Sequence, residues 1–137
     1  MDVTPRLDNL QAEIEERYGE KISSLRRDIH REPEIGFDTE KTARKVLDAL
    51  KGLPLEIETD VAQNGLVATL AGEAEGPTVG LRADMDALPI TEETGLAFVS
   101  EVEGKMHACG HDGHTSMLVG AAHALCGMRE RLNGTVK

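Results

Sequence analysis

Eight consecutive residues, His107-Ala108-Cys109-Gly110-His111-Asp112-Gly113-His114, carry five side chains able to bind a metal ion. Four of these are imidazole or thiolate, the donor types that zinc and its late first-row neighbours prefer. Gly110 and Gly113 allow sharp backbone turns, so that donors close in sequence can converge. A single histidine is ordinarily a surface or satisfied core residue, and a single cysteine a small buried hydrophobe. Five donors packed this densely around glycines point instead to a metal site. The run is not a zinc finger, because no second Cys/His pair lies at the required spacing and Cys126 sits among apolar neighbours. A site with too few local donors recruits others from distant segments or keeps a position open, as catalytic metals do.

The surrounding sequence reads as alternating helices and strands. Leu7, Leu10, Ile14, Tyr18, Ile22, Leu25 and Ile29 recur every three or four residues, which predicts one helix stripe, with a possible break at Gly19. Pro33 stops it, and His30 reads as a cap or surface residue. Asp38 is the expected N-cap of a second helix, with Ala43, Val46, Leu47 and Leu50 facing inward and Gly52 ending it. Alternation predicts strands at 55–59 and 65–70, a turn over 71–77 and a third strand over 78–84 with Asp84 and Asp86 at its exit. A buried helix follows from Gly113 to about Leu132, with Asp112 as its N-cap and Met117, Leu118, Ala121, Ala122, Leu125 and Met128 apolar on more than one face. Asn133-Gly134 closes it, and Thr135-Val136-Lys137 begins another strand. The expected fold class is α/β, a layered sheet with flanking helices. A sheet rarely ends on so short a strand, so the chain reads as the front part of a larger domain.

Composition excludes several classes of function. The 137 residues are enough for one domain with a core, and 39% apolar with 29% charged residues is ordinary for a globular protein. Aromatics are 2% and the net charge is −10, which disfavours nucleic acid both by stacking and by charge. The acidity reads as a solubility feature. No stretch approaches the length of a membrane span, and Met1-Asp2-Val3-Thr4-Pro5 lacks the basic start and apolar core of a signal peptide. Two cysteines in unlike settings make no disulfide framework. The expectation is a reducing, cytoplasmic setting in which Cys109 stays free to bind metal.

Three segments together resemble a known family: Arg27 through Phe37, Leu81 through Ile90, and His107 through Thr115. Their order and separation are similar to the start of the amidohydrolase branch of the aminoacylase/carboxypeptidase metallopeptidases, which includes hippurate hydrolase and the indole-acetyl-amino-acid hydrolases. The second and third segments are highly specific and the first moderately so. The resemblance covers roughly residues 20 to 137 and implies that 1–137 is the N-terminal part of a zinc-peptidase-like catalytic domain. It implies hydrolysis of the amide of an N-acyl amino acid, a small-molecule substrate, with two divalent ions (Zn, Mn, Co or Ni). It places metal ligands on Cys109 and His111, and on Asp86 an aspartate that orients a ligand or steadies the site. Where the wider clan has a metal-binding histidine two residues before that aspartate, this chain has Asp84, so no ligand role is carried onto it. His114 and Asp112 have weaker claims to a site role, against a loop-shaping hydrogen bond for His114 and the helix cap for Asp112, and His30 with Glu32 carries no catalytic role.

Members of the family run to several hundred residues. Their general base, a glutamate of an adjacent pair, lies beyond the position of Lys137, as do later histidine ligands and an inserted domain that serves dimerisation and closure. After His114 the only histidine is His123, read as packing, and after Asp112 the only acid is Glu130, read as surface. The resemblance therefore implies a full-length homodimer and an isolated chain that is inactive. The competing reading is a non-catalytic metal-binding or remnant domain.

Overall fold

The computed structural model describes residues 4–137, with side chains placed from Asn9 onward, so the predicted stripe residue Leu7 lies outside the described side chains. Helix α1 (Thr4–Arg31) runs unbroken through Gly19. It is followed by α2 (Glu40–Leu50), β1 (Glu56–Val61), β2 (Gly65–Ala71) and β3 (Ala74–Val79). A long irregular segment then leads to α3 (His111–Gly127), a 3-10 turn at Arg129–Arg131 and β4 (Asn133–Val136). The four strands form one mixed sheet in the order β1-β2-β4-β3. β1 and β2 are an antiparallel hairpin, β4 lies antiparallel to β2, and β3 runs parallel to β4. This is the α/β layered sheet with flanking helices that the alternation predicts.

The core lies between the sheet and the helices. Val46 and Leu50 of α2 meet Val119 of α3 at its centre, with Leu25, Leu55, Ile57, Leu66 and Ala68 packed around them. Beside it an apolar cavity of about 240 Å³ is lined by Leu66, Leu81, Met85, Leu118 and Val136 among others. α1 and α3 pack closely at one point, where a Cβ on Gly120 would collide with the Ile22 side chain. His123 ties α3 to α2, its Nε2–H donating to the Ala49 carbonyl at 2.8 Å, which is a packing role.

Several boundaries differ from the sequence expectation. Asp38 does not cap α2. The helix starts after Thr39, which makes no side-chain capping bond, and Glu34 reaches over from the preceding loop instead. Its carboxylate accepts from the Lys41 N–H at 3.1 Å and from the N–H and hydroxyl of Thr42 at 2.8 Å each. The predicted turn over 71–77 is half strand, since β3 begins at Ala74, and the predicted strand over 78–84 ends at Val79. β3 pairs with β4, more than fifty residues on, so its register is decided by a partner that local alternation does not see.

α3 also begins earlier than predicted. Its N-cap is Gly110, not Asp112, and Gly110 is left-handed at φ 82°. The helix is only half buried: Met117 is 61% exposed, and the buried stripe is Asp112, Thr115, Ser116, Val119, Gly120 and Ala124. Polar residues occupy that stripe because it faces α1 and the loop side chains rather than a purely apolar layer. Among the described residues no helix is long and apolar enough to cross a membrane.

Candidate metal centre

The three segments singled out in the sequence lie far apart along the chain but are stitched together through their backbones. The Ala87 N–H donates to the Glu34 carbonyl at 2.7 Å, and Ile35 bridges Ala87 in parallel. Leu88 and Met106 exchange both backbone bonds, at 2.9 and 3.0 Å. The end of the second segment is thereby fixed against the start of the third. The Thr115 hydroxyl adds a bond to the Asp84 carbonyl at 2.7 Å.

This stitching brings Asp86 against His111. The Nδ1 of His111 lies 2.9 Å from both the carboxylate Oδ1 and the carbonyl oxygen of Asp86. Both are acceptors, so Nδ1 carries a hydrogen and donates, and the lone pair of the corresponding neutral tautomer is on Nε2. Nε2 stands 3.9 Å from the Asp84 carboxylate, beyond a hydrogen bond. Cys109 is exposed two residues before His111, and the left-handed Gly110 between them makes the turn that leads into the helix. A side chain at that φ would be strained. Asp84 also pairs with exposed Arg82 at 2.7 Å.

The five donors of the 107–114 run divide into two sets. Cys109, His111 and His114 are on the accessible side, where the rings of His111 and His114 lie 5.5 Å apart. The expected loop-shaping side-chain bond of His114 does not form among the described residues. His107 and Asp112 point inward and are 4% and 1% exposed. Among the described residues, neither ring nitrogen of His107 has a hydrogen-bond partner, nor does Asp112 Oδ1. Burial holds the His107 imidazole below its ordinary pKa, an effect the Asp112 carboxylate opposes and the neighbouring His30 reinforces.

His30 corrects the sequence reading most clearly. It is neither a cap nor a surface residue but 2% exposed, with Nδ1 2.7 Å from Asp112 Oδ2 and Nε2 3.1 Å from Glu92 Oε1. Arg26 Nε reaches the same Asp112 oxygen at 2.8 Å. Glu92 also accepts from the Ser100 N–H at 2.7 Å and from the Thr94 hydroxyl. Burial pushes the Glu92 carboxyl up, but these bonds and the His30 ring outweigh it and hold the group below its ordinary value. Arg26 and Glu92 were not singled out in the sequence. The only signal for this group was an ionisable residue, His30, one turn before a helix-stopping proline. Glu32, by contrast, makes surface pairs with Lys45 at 2.6 Å and Lys41 at 3.7 Å. Burial raises the pKa of the half-buried Cys126 thiol, whereas the Cys109 side chain is exposed.

Cys109 and His111 are a donor pair of the type that suits zinc and its neighbours. Among the described residues no group of three or more His, Cys, Asp or Glu side chains is arranged to hold an ion.

Residues 80–137, which hold Asp86 and the Cys-Gly-His turn, match the model of Peptidase family M20/M25/M40. That match takes in fewer than half of the chain's 137 residues, and the similarity to relatives below extends over most of the chain. It is 44% identical over 119 residues to N-acetylcysteine deacetylase of Bacillus subtilis, covering 85% of this chain and 31% of that protein. It is 41% identical over 138 residues to thermostable carboxypeptidase 1 of Saccharolobus solfataricus, covering 100% of this chain and 34% of that one. Among solved structures it resembles the Bacillus subtilis YXEP protein, a dinuclear metal binding peptidase from the M20 family. There the TM-score is 0.84 at 40% identity, over 88% of this chain and 34% of that one. The chain spans about a third of the length of the curated relatives it matches.

Proposed function

We propose that this chain supplies part of the metal centre of an amidohydrolase that cleaves N-acyl amino acids, as the N-terminal part of its catalytic domain. Cys109 and His111 are the ligands it contributes, and Asp86 holds the His111 ring. The observation that carries the reading is the Asp86–His111 contact, which commits Nδ1 as donor and leaves Nε2 unclaimed by it, two residues along the chain from an exposed thiol. A carboxylate behind a histidine in this way fixes the ring and raises its basicity toward a metal. The similarity to a dinuclear metal binding peptidase supports the same assignment.

The relatives support the substrate class. An N-acetyl amino acid and a C-terminal peptide bond present the same group: an amide whose nitrogen belongs to an amino acid with a free carboxylate. Hydrolysis bonds the oxygen of water to the amide carbon and breaks the C–N bond, and the nitrogen leaves with a proton. A bound divalent cation would supply polarisation of that carbonyl and a more acidic water. Within this chain, Asp86 keeps the His111 proton on Nδ1, and the Cys109-Gly110-His111 turn sets the separation of thiolate and imidazole.

We further propose that the 137-residue chain alone has no turnover. A catalytic zinc takes three protein ligands, and the described residues bring together no such group. The test is metal content and hydrolysis of hippurate and N-acetylcysteine, with zinc or manganese added, for this chain and for one continued past Lys137. The reading expects turnover in the longer chain alone, and Cys109→Ser in it to lower metal content and turnover together. Unchanged turnover after that substitution would remove Cys109 from the site.

A further inference from the structure

We propose that Arg26, His30 and Glu92 are positioning residues for the Cys109-Gly110-His111 turn and act on it through Asp112. This rests on the reading of Cys109 and His111 as metal ligands. Asp112 directly follows His111 in the first turn of α3, and its carboxylate is 1% exposed. A buried carboxylate is tolerable only when paired. Its Oδ2 is held by Arg26 Nε at 2.8 Å and His30 Nδ1 at 2.7 Å, both from α1. The other His30 nitrogen is 3.1 Å from Glu92 Oε1, in the irregular segment between β3 and α3. Both partners of His30 are carboxylates, so each ring nitrogen faces an acceptor. Phe98 closes the outside, edge-on to the His30 ring at 5.5 Å with the Arg26 guanidinium 4.9 Å from its centre.

The network ties three pieces of the molecule to the residue next to a ligand. Buried ion pairs add little net stability compared with apolar packing. Their strength is directional: each bond fails if α3 rotates or slides against α1. The turn they restrain needs that help, since it pivots on a left-handed glycine whose carbonyl accepts from the N–H groups of Gly113 at 3.0 Å and His114 at 3.1 Å.

The experiment has two arms. In the metal-free chain, amide exchange by NMR is compared for the native protein and His30→Ala. Protection at Gly113 and His114 is expected to fall at least about tenfold, while the β1–β2 ladder keeps its own. Unchanged exchange at those two amides, or a loss spread evenly over the chain, overturns the proposal. In the second arm Co(II) is the probe. His30→Ala is expected to bind it roughly ten- to a hundredfold more weakly and to shift the thiolate-to-cobalt charge-transfer band. Native affinity and band in that variant overturn the proposal. Where the native chain takes up no Co(II), this arm is read in the chain continued past Lys137; if that chain takes up none either, the ligand reading fails, and the exchange arm alone decides whether the network holds the turn. Should His30→Ala not fold, Arg26→Met keeps the aliphatic stem on Phe98, removes the guanidinium from Asp112, and is judged by the same two criteria.

Discussion

His111 is a residue whose chemistry is set by one neighbour. With Asp86 accepting at Nδ1, the ring has a fixed tautomer and a fixed plane. Asp86→Ala leaves the backbone carbonyl as a second acceptor but removes the charge. It is expected to weaken Co(II) or Zn(II) binding by about tenfold to a hundredfold with little change in fold, as read by titration alongside circular dichroism. Cys109 and His111 stand out in the sequence because donor chemistry is written in residue type, whereas Asp86 is reached only through the family resemblance of residues 81–90. His30 could not. Its neighbours Asp112 and Glu92 are 82 and 62 residues away, and nothing local distinguishes a buried imidazole from one at a helix end.

The helices place the site by how closely they approach. α3 carries His111 at its first turn and meets α1 where Gly120 lies under Ile22. Gly120→Val is expected to force the two helices apart and cost about 1–3 kcal/mol, measured as a lower urea midpoint. Because the Arg26 and His30 bonds to Asp112 span the same helix pair, the variant is also expected to loosen them. Helix existence was legible from the 3.6-residue stripe of α1 and from Val46 and Leu50 in α2. Helix starts were not. Glu34 caps α2 from the preceding loop and Gly110 begins α3, and both depend on how a loop returns in three dimensions.

At the scale of the whole molecule, the chain has an acid-sensitive seam where α1, the 91–105 segment and α3 meet. The Glu92 carboxyl faces His30, with Asp112 and Arg26 beyond it, and its pKa lies below the usual glutamate value of about 4.3. A depressed carboxylate stabilises the fold above that value, and the contribution is lost as pH falls through the folded-state pKa. Glu92→Gln is therefore expected to lower stability near neutral pH by roughly 1.5–3 kcal/mol, with the native and variant curves converging in acid. Urea unfolding from about pH 3 to pH 7 checks this. A constant gap across that range would place the carboxylate outside the linkage.

Residue chemistry and periodicity, both local properties, were enough to expect an α/β chain and to single out the donor-rich run at 107–114. Donor atoms are intrinsic to side chains, and burying one face of a helix or strand imposes its own spacing. The tertiary structure decided which donors face outward and which inward, where β3 finds its partner β4, and that His30 joins two buried carboxylates. Those outcomes depend on contacts between residues tens of positions apart. Their energies come from desolvation and pairing, which no short stretch of sequence contains.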